Sequence, residues 1–181
     1  MRNSHIEVLP IAGAPGAEVG GVDVAQDLDD ALVGEICQAL LDYGVIFFRD
    51  QSLDIDRHTA FSKRFGEIFI HPNCNGVSAD PEIIDIRREP GDKKIVGEDW
   101  HTDTTMVAEP SMGAILCAIE VPPYGGDTVF ANQYLAYESQ SPGLKRSLEG
   151  LRAVHKHDAG PFVESCGVRK FAAPASTERV Y

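Results

Sequence analysis

The residues best suited to chemistry are His101 and Asp103, which are separated by one residue in the segment Trp100–Thr105. In an extended segment, residues two apart point to the same face, so we expect the imidazole and the carboxylate to lie side by side. Such a pair supplies two of the three protein ligands of a facial triad, which leaves three positions on a metal ion open. The same short pattern also fits a zinc hydrolase or an ordinary surface ion pair.

Two observations limit the zinc alternative. The sequence has no His-Glu-x-x-His motif that would place a general base on a helix beside the metal. The four cysteines are too far apart for a zinc knuckle or a redox motif: Cys37, Cys74, Cys117 and Cys166. Because the N-terminus also lacks the apolar core of a signal peptide, we expect free thiols in a reducing cytoplasm.

The segments around this pair predict a mixture of helices and strands. Apolar residues recur every three or four positions over 29–43, and Gly44 is suited to end that helix. Further helices are predicted over 54–65, 132–140 and 142–148. Strands are predicted over 45–48, 83–86, 114–121, 128–130 and 151–155, whereas 171–181 shows no clear period. These elements favour an α+β protein built around a β-sandwich or barrel.

Composition and charge exclude several classes of partner. The chain has 181 residues and a net charge of −12, so its surface repels phosphate backbones and anionic lipid. No apolar run is long enough to suggest a membrane span. We therefore predict a globular protein that binds neither nucleic acid nor membrane, while the sequence leaves a homo-oligomer open.

A series of motifs in fixed order gives the chain a specific resemblance. Together with His101 and Asp103, the motifs resemble those of the TauD/TfdA family, which includes taurine dioxygenase and 2,4-dichlorophenoxyacetate dioxygenase. The resemblance covers residues from about 8 to about 157 and supports a single domain over 1–181. The matching segments are 43–49, 61–67, 98–106, 112–116, 121–123, 125–128, 130–132 and 136–138.

This resemblance implies a fold, a set of cofactors and a set of site residues. The implied fold is a double-stranded β-helix, or jelly roll, with flanking helices. His101 and Asp103 match the first two ligands of an Fe(II) ion, and Thr128 matches a threonine that contacts a carboxylate of 2-oxoglutarate. Dioxygen is the second co-substrate. From the residues alone, Thr128 is better explained as an ordinary threonine that starts a strand after a Gly-Gly turn.

The resemblance also indicates a small anionic substrate, such as a sulfonate, a sulfate ester or a carboxylate. His71 matches the position at which taurine dioxygenase uses a histidine to bind the sulfonate. Asn73–Asn75 and Gly97 depart from the residues that taurine dioxygenase has near its substrate. Taurine itself is therefore not the substrate that these residues favour.

Two functional groups of the family have no counterpart in the sequence. In the family the second histidine ligand follows the aspartate by well over a hundred residues, so His155 and His157 do not match it. Arg169 and Arg179 do not match the arginine that pairs with 2-oxoglutarate. We therefore expect a jelly-roll core that is incomplete at its C-terminal side. The alternative to an active dioxygenase is a catalytically inactive fragment or a partner-binding remnant of that fold.

Overall fold

The computed structural model describes residues 5–70, 76–77, 80–89, 91, 97 and 99–155, and the backbone of 179–180. The chain forms two compact units. The first consists of Met1–Glu67 and Leu116–Glu149, and the second consists of Ile68–Ile115 and Gly150–Tyr181. Among the residues named above, His71, Asn73–Asn75, His157, Cys166 and Arg169 lie outside the described residues.

The first unit contains a three-stranded mixed sheet. Strand β1 (Glu7–Pro10) pairs antiparallel with β2 (Ala17–Gly20), and β2 pairs parallel with β3 (Ile46–Phe47). Parallel neighbours need a crossover connection, and helix α1 (Asp30–Tyr43) supplies it. The predicted strand 45–48 is therefore confirmed at its centre as the edge strand β3.

Capping residues in the sequence determine both ends of helix α1. The Asp29 carboxylate accepts a hydrogen bond of 2.8 Å from the Leu32 N–H, which is a standard N-terminal cap. Gly44 adopts φ 71°, and its N–H donates to the Leu40 carbonyl at 2.7 Å. A residue with a side chain is strained in this left-handed conformation, so glycine suits the end of the helix. The buried face of α1 is Val33, Ile36 and Ala39.

Helix α2 (Ile55–Lys63) closes the core of the first unit. It begins at the cap Asp54, whose carboxylate accepts from the Arg57 N–H at 2.8 Å. Its buried residue Phe61 makes edge-to-face contacts with Phe48 and Phe65, at centroid distances of 6.1 and 5.1 Å. The helix is two residues shorter at its C-terminal end than the predicted span 54–65. The core cluster is Ile6, Val19, Val24, Ile36, Ala39 and Phe61.

Two short helices follow later in the same unit. Helix α3 (Gln133–Glu138) is capped by Asn132, and α4 (Pro142–Leu148) is capped by Ser141. Pro142 occupies the first turn of α4, where its missing N–H has no helical partner to lose. Both helices lie within the predicted spans, so the prediction of helices at 132–140 and 142–148 is confirmed.

Most of the later strand predictions were wrong. In the part of the chain that the structure describes, residues 83–86, 114–121 and 128–130 form no strand. At the start of the first of these spans, the Ile83 carbonyl accepts a hydrogen bond of 2.8 Å from the Val77 N–H. An apolar β-prone run becomes a strand only when a neighbour accepts its hydrogen bonds, and periodicity does not report that neighbour.

The described part of the second unit contains a pair of short strands. Strand β4 (Val154–His155) lies within the predicted span 151–155 and pairs antiparallel with β5 (Arg179–Val180). Strand β5 lies in 171–181, where the sequence shows no clear period. The described elements confirm a mixture of helices and a mixed sheet, while the double-stranded β-helix core stays a prediction. None of the described helices has the length and apolar character that a membrane crossing requires.

The packing of α1 generates a stability prediction. Ile36 is fully buried in the core cluster, whereas Leu41 on the same helix is 77% exposed. We expect Ile36→Ala to lower the free energy of unfolding by about 2–5 kcal/mol, because it removes buried methyl groups and leaves a cavity. Leu41→Ala is the matched control and should change it by less than about 0.5 kcal/mol. Urea titration followed by circular dichroism measures both, and equal effects would contradict the assigned core.

Candidate metal site

His101 and Asp103 face each other in the second unit. Nε2 of His101 lies 3.3 Å from Oδ1 of Asp103, and the two side chains are 53% and 69% exposed. Two ligands about 2.1 Å from one ion and at right angles are about 3 Å apart, which is close to the observed separation. The pair therefore fits two adjacent corners of a metal site that is open to solvent and to further ligands.

A hydrogen bond from the other ring nitrogen orients His101. Nδ1 lies 2.7 Å from the backbone carbonyl oxygen of Asp99. A carbonyl oxygen only accepts hydrogen bonds, so Nδ1 carries the proton. In a neutral ring this leaves the lone pair on Nε2, the nitrogen that faces Asp103. Metal-binding histidines commonly have this arrangement, in which the second nitrogen donates to a carbonyl or carboxylate.

A turn, rather than a continued extended segment, begins at the second of the two candidate ligands. Residues 103–106 form a turn, and Thr104 adopts φ 55°. The Val107 N–H donates to the Thr104 carbonyl at 3.1 Å, and the Ser111 N–H donates to Thr104 Oγ1 at 3.0 Å. The expectation of an extended segment was wrong from Asp103 onward, although the predicted juxtaposition of His101 and Asp103 is present.

Gly97 borders the imidazole of His101. It adopts φ 78°, and a Cβ added there would lie 3.4 Å from His101 Cε1. The positive φ favours glycine, because a side chain is strained there, and an added Cβ would lie in van der Waals contact with the ring. The sequence alone marked Gly97 only as a departure from taurine dioxygenase and did not indicate its contact with His101.

The remaining residues of the second unit add no third ligand in the part that the structure describes. No group of three histidine, cysteine, aspartate or glutamate side chains within metal-binding reach occurs among the described residues. Trp100, which precedes the pair, is 72% exposed and is therefore not a core residue. His155 lies in β4, within the predicted strand 151–155.

Thr128 belongs to the first unit and follows two glycines with positive φ. Gly125 and Gly126 adopt φ 75° and 74°, a conformation that glycine reaches without strain. Thr128 is exposed, and the strand expected to begin there is absent from the described structure. Its side chain thus lies at the surface of its unit. His71, the predicted substrate ligand, lies outside the described residues.

In an open polar groove of the first unit, the charged side chains mostly contact other groups of the same groove. The guanidinium of Arg57 donates to the Ala25 carbonyl and lies 3.8 Å from the Asp54 carboxylate. A hydrogen bond from the Gln26 side chain, and then one from the Ala25 N–H, lower the pKa of Asp23 below its usual value. These contacts stabilise the turn that leads into α1, and we assign them no chemistry.

Three signals near the metal ligands were invisible in the sequence. Asp99 contacts His101 through its backbone carbonyl, a group that every residue has, so the residue type gives no signal. The left-handed conformation of Thr104 is unusual for a β-branched residue, so its amino-acid type argued against it. The contact between Gly97 and His101 depends on the path of the loop. Only the His-x-Asp spacing itself carried information about the site.

Comparison with known proteins gives consistent results. The family profile described as "Taurine catabolism dioxygenase TauD, TfdA family" matches residues 7–166. The chain is 36% identical over 155 residues to an alpha-ketoglutarate-dependent sulfate ester dioxygenase of Pseudomonas putida, and the match covers 85% of this chain and 50% of that protein. It is 34% identical over 152 residues to the (S)-phenoxypropionate/alpha-ketoglutarate-dioxygenase of Sphingobium herbicidovorans, covering 82% and 53%.

A solved structure gives the same comparison in three dimensions. A taurine dioxygenase from Burkholderia xenovorans aligns with a TM-score of 0.69 and 38% sequence identity. The alignment covers 85% of this chain and 54% of that chain. This chain therefore spans about half the length of the relatives that it matches.

The contact between Gly97 and His101 generates a second prediction. We expect Gly97→Ala to weaken Co(II) binding about tenfold, because changes around a ligand lower metal affinity by about 10–100-fold. Gly91→Ala is the matched control, since Gly91 is also left-handed at φ 99° but an added Cβ has no neighbour within 4 Å. Calorimetric titration of both variants separates contact with the ring from backbone strain. Equal losses in the two variants would show that strain alone is responsible.

Proposed function

The chain belongs to the TauD/TfdA family, and from this premise we propose that the protein is an Fe(II)- and 2-oxoglutarate-dependent dioxygenase. The observation that carries the proposal is the 3.3 Å approach of His101 Nε2 to Asp103 Oδ1, inside the segment that the family profile matches. Two facing ligands of these types, with open positions around them, are what such a metal site requires.

The proposed roles of the metal ligands follow from their geometry. His101 would bind Fe(II) through Nε2, with its ring held by the Asp99 carbonyl, and Asp103 would bind through one carboxylate oxygen. When bound, iron with dioxygen supplies the oxidising chemistry that converts 2-oxoglutarate to succinate and carbon dioxide while a substrate C–H bond is hydroxylated. The exposure of both side chains leaves room for 2-oxoglutarate and dioxygen.

Thr128 is the proposed contact for 2-oxoglutarate. Its exposed hydroxyl, presented after two left-handed glycines, is suited to donate a hydrogen bond to a carboxylate oxygen. One charge-assisted hydrogen bond contributes roughly 1.5–3 kcal/mol, which is too little to hold a dianion tightly. We therefore propose that Thr128 orients 2-oxoglutarate and that most of its affinity comes from the metal and from a cationic group yet to be identified.

The proposed substrate is a small anion with an oxidisable C–H bond. The relatives act, by their names, on a sulfate ester, on phenoxypropionate and on taurine, which carry a sulfate, a carboxylate and a sulfonate. We propose His71 as a binding residue for that anionic group. Because Asn73–Asn75 and Gly97 depart from taurine dioxygenase, we favour a sulfate ester, a carboxylate or another sulfonate over taurine.

One observation supports a second candidate function, that of an inactive, partner-binding remnant of the fold. The described residues supply two metal ligands and no group of three. If the protein holds no third ligand, iron binds weakly and the fold acts as an inactive, partner-binding remnant. Succinate release from 2-oxoglutarate with Fe(II), ascorbate and a panel of sulfonates, sulfate esters and carboxylates distinguishes the two functions. If His101 and Asp103 are the only protein ligands, we expect little turnover, because two protein ligands hold iron less firmly than three.

The first prediction of this proposal concerns iron binding. We expect His101→Ala to abolish most of the Fe(II) binding measured by anaerobic titration, because it removes one of two ligands. His58→Ala is the control, since His58 lies on α2 in the other unit. Equal iron binding by the unchanged chain and the His101→Ala variant would remove the basis of the proposed site.

A further prediction concerns the co-substrate. We expect Thr128→Val to weaken 2-oxoglutarate binding by roughly 10–100-fold, since it removes a hydrogen bond to a charged group. Thr128→Ser keeps the hydroxyl and should bind 2-oxoglutarate nearly as well as the unchanged chain. Calorimetry in the presence of Fe(II) without oxygen measures the affinities. Unchanged affinity in the Thr128→Val variant would mean that Thr128 is an ordinary surface threonine.

A further inference from the structure

We infer that Thr104 is a positioning residue that holds Asp103 against His101, an inference that rests on the proposed metal site. Thr104 follows Asp103 directly and is one of two described non-glycine residues with positive φ, at 55°. It is half-buried, whereas both ligands are exposed. Its role is to fix the direction of the neighbouring carboxylate rather than to touch the metal.

The conformation of Thr104 is unfavourable by itself. A β-branched residue in the left-handed region is a genuine outlier, because its branched side chain crowds the backbone. Such residues persist only where surrounding contacts hold them. Glycine would adopt the same turn more easily, but it has no side chain that could accept a hydrogen bond.

That contact is a hydrogen bond to the backbone further along the chain. Thr104 Oγ1 accepts from the Ser111 N–H at 3.0 Å, and the Thr104 carbonyl accepts from the Val107 N–H at 3.1 Å. The hydroxyl thus closes a loop of eight residues, 104–111, immediately after the ligand Asp103. The two bonds hold the turn from both sides.

The consequence for the site follows from the chain direction. Asp103 is the first residue of the turn 103–106, so the two hydrogen bonds of Thr104 hold the backbone next to its carboxylate. That carboxylate lies 3.3 Å from His101 Nε2. If the closing hydrogen bond is lost, the strained residue relaxes toward an ordinary conformation, and Asp103 is no longer held at that distance.

The test compares variants that differ only at the hydroxyl. Thr104→Val keeps the branched shape and removes the acceptor, so we expect Co(II) affinity about tenfold lower and an altered visible spectrum of the bound Co(II). Thr104→Ser restores the acceptor, so its affinity and spectrum should be close to those of the unchanged chain. Thr102→Val is the matched control, because Thr102 is exposed and lies on the other side of Asp103.

A second pair of variants tests the donor side of the same bond. Ser111→Pro removes the N–H and should reproduce the effect of Thr104→Val, whereas Ser111→Ala keeps the N–H and should have no effect. In the double variant with Thr104→Val, Ser111→Pro should add nothing further, because both changes remove one bond. Additive losses would show that the two residues act separately and would overturn the inference.

Hydrogen exchange of the unchanged chain also tests the inference, and this measurement does not depend on the folding of any variant. The Ser111 amide should exchange its hydrogen more slowly than an exposed amide, and in the Thr104→Val variant the protection should disappear. Rapid exchange in the unchanged chain would overturn the inference. If His101→Ala lowers Co(II) affinity while Thr104→Val does not, the metal site stands and the role of Thr104 fails. If neither change has an effect, the proposed metal site itself fails.

Discussion

The chemistry proposed for this chain depends on one short distance, the 3.3 Å between His101 Nε2 and Asp103 Oδ1. Neither side chain is held in place by a surrounding core, because both are more than half exposed. The constraint must therefore come from hydrogen bonds of the local backbone. The Asp99 carbonyl fixes the ring of His101. We attribute the position of the Asp103 carboxylate to the turn at Thr104.

The first unit is stabilised differently, by a buried apolar core. Its sheet and its helices α1 and α2 bury one connected apolar cluster, and each helix has a side-chain cap at its N-terminus. Polar contacts tie the ends of these elements to the same cluster, as when Gln51 accepts from the Val24 N–H and Arg64 pairs with Asp30. Local preference and burial agree there, which is the condition for a well-defined fold.

The same contrast explains what the sequence could and could not predict. Helix α1 was predictable because Asp29, Gly44 and the spacing of buried residues are local signals. The expected strands at 83–86, 114–121 and 128–130 were not, because a strand depends on hydrogen bonds to a distant partner. The spacing of His101 and Asp103 predicted that their side chains face each other, and the structure shows this, although the segment is a turn rather than extended from Asp103 onward. The turn at Thr104 contradicts the preference of its own amino-acid type.

Electrostatics set a further constraint on what such a site binds. An Fe(II) ion with one aspartate and the 2-oxoglutarate dianion carries a net negative charge, so the metal does not by itself attract an anionic substrate. Several described cations are already paired with carboxylates, including Arg49 with Glu18 and Arg87 with Glu89. The chain as a whole carries −12. The anionic group of the substrate therefore needs a local donor, the role proposed for His71. A single histidine donor suits a substrate with one negative charge, which sulfonates, sulfate monoesters and monocarboxylates carry, whereas phosphate monoesters carry more at neutral pH.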